Sequence, residues 1–228
     1  MRTYLITGIG RGIGRELARV LLHRGDRVVG TLRDLNQSPP EWGEFIAGGQ
    51  LRLLALNVRN GVSIREAAAS FDEPIDVLVN NAGIIGPQRQ STLDMDFEGF
   101  LEILDINTLG PLRIVQAFLP HLRRAKAAKI ITVSSRMGSL SHAKSDRIAY
   151  RASKAAVNKV MQGLATDLRS EGIVAVSVHP GWVQTDMGGA GADISVQDSA
   201  TGLVALIDRI ALEDSGSFFD WQGDRLPF

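Results

Sequence analysis

The chain has 228 residues, 44% of them hydrophobic, with 25 basic and 25 acidic side chains and no cysteine. That length suits one large α/β domain, and the charge balance offers no field for nucleic acid or an anionic membrane. The missing cysteines exclude disulfides and thiolate chemistry, and no apolar run is long enough to span a bilayer or serve as a signal peptide, so a cytoplasmic protein is expected.

Taken in chain order, short apolar runs alternate with amphipathic stretches. A strand over Thr3–Thr7 leads directly into Thr7-Gly8-Ile9-Gly10-Arg11-Gly12-Ile13-Gly14, which opens a helix over residues 14–23. Glycines in such a turn reach positive φ and let backbone amides approach a pyrophosphate, whose charge the helix N-terminus favours. The spacing is Gly-x-x-x-Gly-x-Gly, through Gly8, Gly12 and Gly14, and not Gly-x-Gly-x-x-Gly.

The second strand, residues 27–31, runs into Leu32-Arg33-Asp34 and then a turn-rich loop around Pro39-Pro40. An acid at that strand end selects NAD through the ribose, whereas an arginine accommodates the additional phosphate of NADP. Arg33 makes NADP(H) the preferred reading, with Arg11 as a second cation; Asp34, one register further, leaves NAD(H) open.

Strands over 51–57 and Val77–Asn80 flank a helix over 63–71, and a long helical pattern covers 97–124. Asn107 lies inside that pattern, where a buried amide must find hydrogen bonds. A buried strand over 129–134 ends in Ser134-Ser135. These two hydroxyls point oppositely by alternation, and Ser135 sits at the carboxyl edge where open α/β sheets bind ligands.

Tyr150 and Lys154 then fall one turn apart on the helix predicted for 150–170, so both side chains share a face. An ammonium or an oxidised nicotinamide beside a phenol favours the phenolate, giving a tuned acid/base. The loop between Ser135 and Tyr150 is either a cover for the site or plain surface. A strand over Val174–His179, a glycine- and alanine-rich segment around 187–192 read as a small mobile flap, a helix over 196–210 and a strand over 217–220 complete the chain. The late aromatics Phe218, Phe219, Trp221 and Phe228 suit a pocket, a subunit contact or the core. The four histidines lack ligand spacing, and no metal is expected. The alternation implies a single doubly wound Rossmann-type domain with a seven-stranded parallel sheet and helices on both faces.

Thr-Gly-x-x-x-Gly-Ile-Gly, Asn80-Asn81-Ala82-Gly83, Asn107, Ser134-Ser135, Tyr150-x-x-x-Lys154 and Pro180-Gly181 resemble, in order, the motifs of short-chain dehydrogenases/reductases. Residues 134–139, 179–189 and 215–228 are similar to the C-factor/sniffer branch. The resemblance implies a dinucleotide-dependent oxidoreductase of small carbonyl or alcohol substrates, with Asn107, Ser135, Tyr150 and Lys154 catalytic. It implies cofactor contacts from Gly8, Arg11, Gly12, Ile13, Gly14, Arg33, Asn57, Val58, Asn80, Ala82, Gly83, Tyr150, Lys154, Pro180, Gly181, Val183 and Thr185. Asn57 stands where the family usually has Asp. A signalling protein with little turnover and an NAD-dependent alcohol dehydrogenase are the alternatives, and assembly into a homo-oligomer stays open.

Overall fold

In the computed structural model, which describes residues 1–228, the strands and helices alternate as the apolar pattern predicts. Strand β1 (Thr3–Thr7) leads to helix α1 (Gly12–His23), β2 (Arg27–Leu32), a short α2 (Gly43–Ala47), β3 (Leu51–Ala55), α3 (Gly61–Ala69) and β4 (Val77–Asn80). A small antiparallel hairpin, β5 (Gln90–Ser91) and β6 (Asp94–Met95), precedes α4 (Phe97–Leu104) and α5 (Gly110–Leu122). Then follow β7 (Lys129–Val133), α6 (Ile148–Asp167), β8 (Val174–His179), α7 (Val196–Arg209) and β9 (Phe218–Asp220).

Seven strands form one parallel sheet in the order β3-β2-β1-β4-β7-β8-β9. The chain winds outward from β1 to β3, then returns to add β4 on the other side of β1. That reversal opens a crevice at the carboxyl ends of β1 and β4, the usual ligand position in such sheets.

Both faces of the sheet are buried, and strict alternation divides its side chains between them. Tyr4, Ile6, Val28, Ile131 and Val176 pack with α1 and α7. Leu5, Val29, Leu78, Ile130 and Ala175 pack with α3, α5 and α6. Phe218 and Phe219 are buried and Phe228 stacks on Phe218 at 5.8 Å between centroids, so these aromatics serve the core.

Two elements depart from the periodic reading. Strand β3 stops at Ala55, two residues early, because the Asn57 amide oxygen accepts from the backbone N–H of Arg59 and turns the chain. The helix expected over 97–124 is interrupted by a π-helical turn at Asp105–Leu109. The hairpin and α2 are too short for periodicity to reveal.

Gly30, in the middle of β2, illustrates how closely the sheet approaches the turn after β1. A Cβ there would fall 2.1 Å from Cδ1 of Ile9, which is fully buried. Gly30→Ala should therefore cost about 1–3 kcal/mol through overpacking. For a domain of this size each kcal/mol corresponds to roughly 2–4 °C, so an unchanged thermal midpoint would disprove the tight fit.

Candidate active site

The glycine turn is shaped by what it touches. Gly8 and Gly12 have φ of +75° and +56°, open to glycine at little cost. Gly14 is constrained from outside: a Cβ would lie 2.3 Å from Nδ2 of Asn81 and 2.4 Å from the carbonyl oxygen of Gly8. Asn81 fills that space because its amide donates to the carbonyls of Thr7 and Gly8 at 2.9 and 3.1 Å. The Thr7 hydroxyl in turn accepts the backbone N–H groups of Asn81 and Ala82, both at 3.0 Å. Thus β1 and β4 are tied together at their carboxyl ends.

Arg11 occupies the N-cap of α1 without a side-chain capping bond, and no acid lies in the first turn. The first amides of α1 are left for an external anion, which suits a pyrophosphate. The Arg11 guanidinium reaches Asp186 at 3.1 Å on the surface.

A second group converges on α6. Asn107, buried in the π-helical turn, accepts from the N–H of Ile84 and donates to its carbonyl, each at 2.9 Å. Its amide also donates to the Ser153 hydroxyl at 3.1 Å, which donates to the Tyr150 carbonyl at 2.8 Å. Gln90 of the hairpin accepts the Tyr150 N–H at 3.0 Å. Tyr150 therefore enters the helix with its backbone pinned at both ends.

The Lys154 ammonium donates to the Val133 carbonyl at 2.8 Å, its one hydrogen bond, and stands over the Tyr150 ring at 5.7 Å from the centroid. Gly83 borders it: a Cβ there would stand 3.1 Å from Oδ1 of Asn107 and 3.7 Å from Nζ of Lys154. Gly138 supports it from behind, since a Cβ would strike the Lys154 backbone and Cβ, both at 2.7 Å. Ser134 donates toward the Lys154 carbonyl at 3.4 Å, whereas the Ser135 hydroxyl accepts the backbone N–H of Met137 at 3.1 Å and caps the short turn after β7.

Burial pushes the Tyr150 phenol above its ordinary range, against the opposing pulls of the Ser135 hydroxyl and the Arg147 charge. The same burial pushes Lys154 down to about 8. The protein alone thus keeps the tyrosine protonated, and desolvation outweighs the help expected from Lys154.

Toward β2, the Arg33 side chain is exposed and makes no ion pair or hydrogen bond, while Asp34 spends both carboxylate oxygens on Asn36 and Gln37. Asn57 is likewise occupied locally, and Val58 packs against Gly110. Asn80 turns into the sheet, donating to Thr132 at 3.2 Å. Among the two asparagines, Asn81 contacts the glycine turn, and its conformational signal in the sequence was only its place beside Asn80.

Beyond β8, the Pro180 carbonyl accepts from Ser199 at 2.6 Å and Gly181 has φ of +89°. Val183 bridges Ile194, and Thr185 lies against Gly12, so the segment lies across the glycine turn. No helical lid intervenes. The segment expected to be a loose flap is a compact loop, closed further by the Trp182 indole donating to Gly188 at 2.9 Å. Residues 140–147 are all exposed, as a surface loop.

Comparison with known proteins agrees with this arrangement. The family model for short chain dehydrogenases matches residues 2–193. The C-signal protein of Myxococcus xanthus is 46% identical over 156 residues, covering 68% of this chain and 93% of that protein. Among solved structures, NADPH-bound carbonyl reductase from chicken fatty liver is 31% identical with a TM-score of 0.93, over 100% of this chain and 99% of that one. The carbonyl reductase Sniffer of D. melanogaster is 30% identical with the same TM-score, and each chain is covered completely.

The low value at Lys154 has a consequence for stability. The folded state releases its proton near pH 8, while the unfolded lysine holds it to about 10.4. Between those values the unfolded chain binds more protons, so this group's destabilisation is full below pH 8 and disappears as pH rises past the unfolded value. Lys154→Met should therefore stabilise the cofactor-free protein at pH 7 by up to about 3 kcal/mol, with the gain shrinking toward pH 10.5. Denaturant melts at both pH values test this; a variant less stable than wild type at pH 7 would refute it.

Proposed function

Because the chain belongs to the short chain dehydrogenase family of oxidoreductases, we propose that it is an NADP-dependent reductase of small aldehydes and ketones. The observation that carries this reading is the Lys154 ammonium standing 5.7 Å from the Tyr150 ring centroid, at the carboxyl edge of the sheet where Ser135 follows β7.

The dinucleotide fits the residues present. The uncapped amides of α1 would donate to its pyrophosphate, and Gly8, Ile13, Ala82 and Gly83 would line its path. Val183 and Thr185, with Pro180 and Gly181, would border its nicotinamide side. The unused donors of Lys154 suit the nicotinamide ribose. Arg33, exposed and free of acids, suits the additional phosphate of NADP, and the engagement of Asp34 in capping residues 35–37 argues against its service as the NAD-selecting acid. When bound in reduced form, the cofactor supplies the hydride.

The chain's own groups handle the oxygen and its proton. Tyr150, kept protonated by burial, donates to the substrate carbonyl oxygen, and Ser135 donates a second hydrogen bond to the same atom. The Lys154 ammonium stabilises the phenolate left behind. Asn107 Oδ1, close to the path between Gly83 and Lys154, suits a water that returns the proton from solvent.

Likeness to C-signal favours a second reading, a dinucleotide-binding signal whose turnover is incidental. Tyr150→Phe separates the two. Under the enzymatic reading, NADPH affinity is preserved while carbonyl-dependent turnover falls by about 10²–10⁴-fold. Lys154→Ala lowers both. Wild-type turnover in Tyr150→Phe, or a wild type without any carbonyl-dependent NADPH oxidation across an aldehyde and ketone panel, would overturn it. For the cofactor, Arg33→Ala should weaken NADPH by roughly 10- to 100-fold and leave NADH unchanged, as loss of one charged hydrogen bond implies. Equal wild-type affinity for both cofactors in titration calorimetry would refute the preference.

A further inference from the structure

Gln90 belongs to none of the motifs that carry the reading above, yet it is buried and its amide is fully engaged. It stands in β5, in register with Met95 across the hairpin, 60 positions ahead of Tyr150. Its Nε2 donates to the carbonyls of Ile85 and Pro87 at 3.0 and 2.5 Å, and its Oε1 accepts the Tyr150 N–H at 3.0 Å. Two carbonyls and one N–H leave the amide a single orientation.

The Tyr150 N–H needs that acceptor because its own helix supplies none. Tyr150 is the third residue of α6, and the first four N–H groups of a helix have no partner within it. A serine, threonine or aspartate at the N-cap commonly accepts such an N–H through its side chain. Here the N-cap is Arg147, whose side chain has no acceptor atom and makes no capping bond. Gln90 thus caps, from a distant segment, the helix that carries the proton donor.

The same amide holds the stretch after β4. Gly86 has φ of +85°, and a Cβ there would stand 2.8 Å from Cδ1 of Ile103 and 3.4 Å from Nε2 of Gln90. The turn through Gly86 presents the carbonyls on either side of it to one side chain. Ile84 and Ile85, partly buried, pack against Ile103, Ala149 and Tyr150 and so form a wall beside the phenol. Asn107 grips Ile84 from the other direction and reaches the Tyr150 carbonyl through Ser153. Two amide side chains, one on the N–H and one acting on the carbonyl, therefore tie Tyr150 to the same wall.

We propose that Gln90 is a positioning residue for the reduction, which locks the Tyr150 backbone to residues 84–87 so that the phenol meets a substrate carbonyl at one fixed depth. The inference rests on the carbonyl reductase reading and adds a residue to its machinery. Proton transfer demands heavy atoms within roughly 2.6–3.2 Å, and a misplacement of about 1 Å can lower turnover by about 100-fold. The glycine turn and its tie to Asn81 do not involve Gln90, so its loss acts on the transfer geometry and not on the grip on the dinucleotide.

Gln90→Met keeps the length of the side chain and deletes its hydrogen bonds. With NADPH and benzaldehyde, or whichever aldehyde or ketone the wild type reduces best, kcat should fall by about 10- to 100-fold while NADPH affinity stays at the wild-type value. Gln90→Glu gives a sharper readout. The introduced carboxyl, when protonated, accepts the Tyr150 N–H and donates to one carbonyl; when ionised it has no donor and faces two carbonyl oxygens. Burial and those carbonyls raise its pKa above the ordinary value of about 4.3. The kcat of Gln90→Glu relative to wild type should therefore be highest at low pH and fall toward that of Gln90→Met as pH rises. Wild-type kcat in a folded Gln90→Met, a loss of kcat matched by an equal loss of NADPH affinity, or a Gln90→Glu ratio constant across pH would overturn the proposal. Where Gln90→Met does not fold, the pH dependence of that ratio decides. If the wild type reduces no carbonyl compound, the reductase reading fails by itself, and NMR of ring-labelled tyrosine decides the positioning. The chain has two tyrosines, and Gln90→Met should shift the Tyr150 signal and leave that of Tyr4; an unmoved Tyr150 signal refutes the lock.

Discussion

The Lys154 ammonium is held out of water against one carbonyl oxygen, that of Val133, and much of the site is arranged around keeping it there. A buried cation with a single acceptor is costly, and its pKa near 8 records the cost. Neighbours are accordingly small or fixed. Gly138 lets the turn after β7 press on the helix, Gly83 leaves room for the head group, and Asn107 is locked by Ile84 and Ser153. The unused donors of the ammonium give the protein a standing affinity for polar groups in the crevice, at the expense of its own stability.

The topology explains why these groups meet at all. Thr7 ends β1, and Asn81 and Ser135 come just after β4 and β7, strands distant in sequence whose parallel pairing brings their carboxyl ends to one edge. The tie between the Thr7 hydroxyl and the amides after β4 sets that edge before any ligand arrives. Pre-organisation of this kind limits the reorganisation needed when charge develops at a reacting oxygen.

Much of this was legible in the sequence because it depends on local order: alternation of apolar runs, glycines at a strand end, and Tyr150 and Lys154 one turn apart. What lay outside that reading depends on partners brought from elsewhere. Whether Asn80 or Asn81 faces the glycine turn is decided by Thr132 and Thr7 in neighbouring strands. The direction of the Tyr150 shift depends on burial, which spacing alone does not convey. Gln90, which anchors the backbone of Tyr150, comes from a hairpin too short to have a period.

The π-helical turn at Asp105–Leu109 gives the molecule an unusual sensitivity to chain length. Such a turn carries a residue more than an α-helix needs between the same two ends. Removing one residue there would let α4 and α5 merge into a continuous α-helix, and no buried apolar contact need be deleted. Every side chain on one side of the cut would nonetheless turn by about 100° relative to the other, the step of one residue in a 3.6-residue period. Either Asn107 would swing away from Ile84 and Ser153, or α5 would present a different face to the sheet. The stretch is therefore held to a fixed residue count as well as to Asn107, and a single-codon deletion is a more drastic event here than most substitutions.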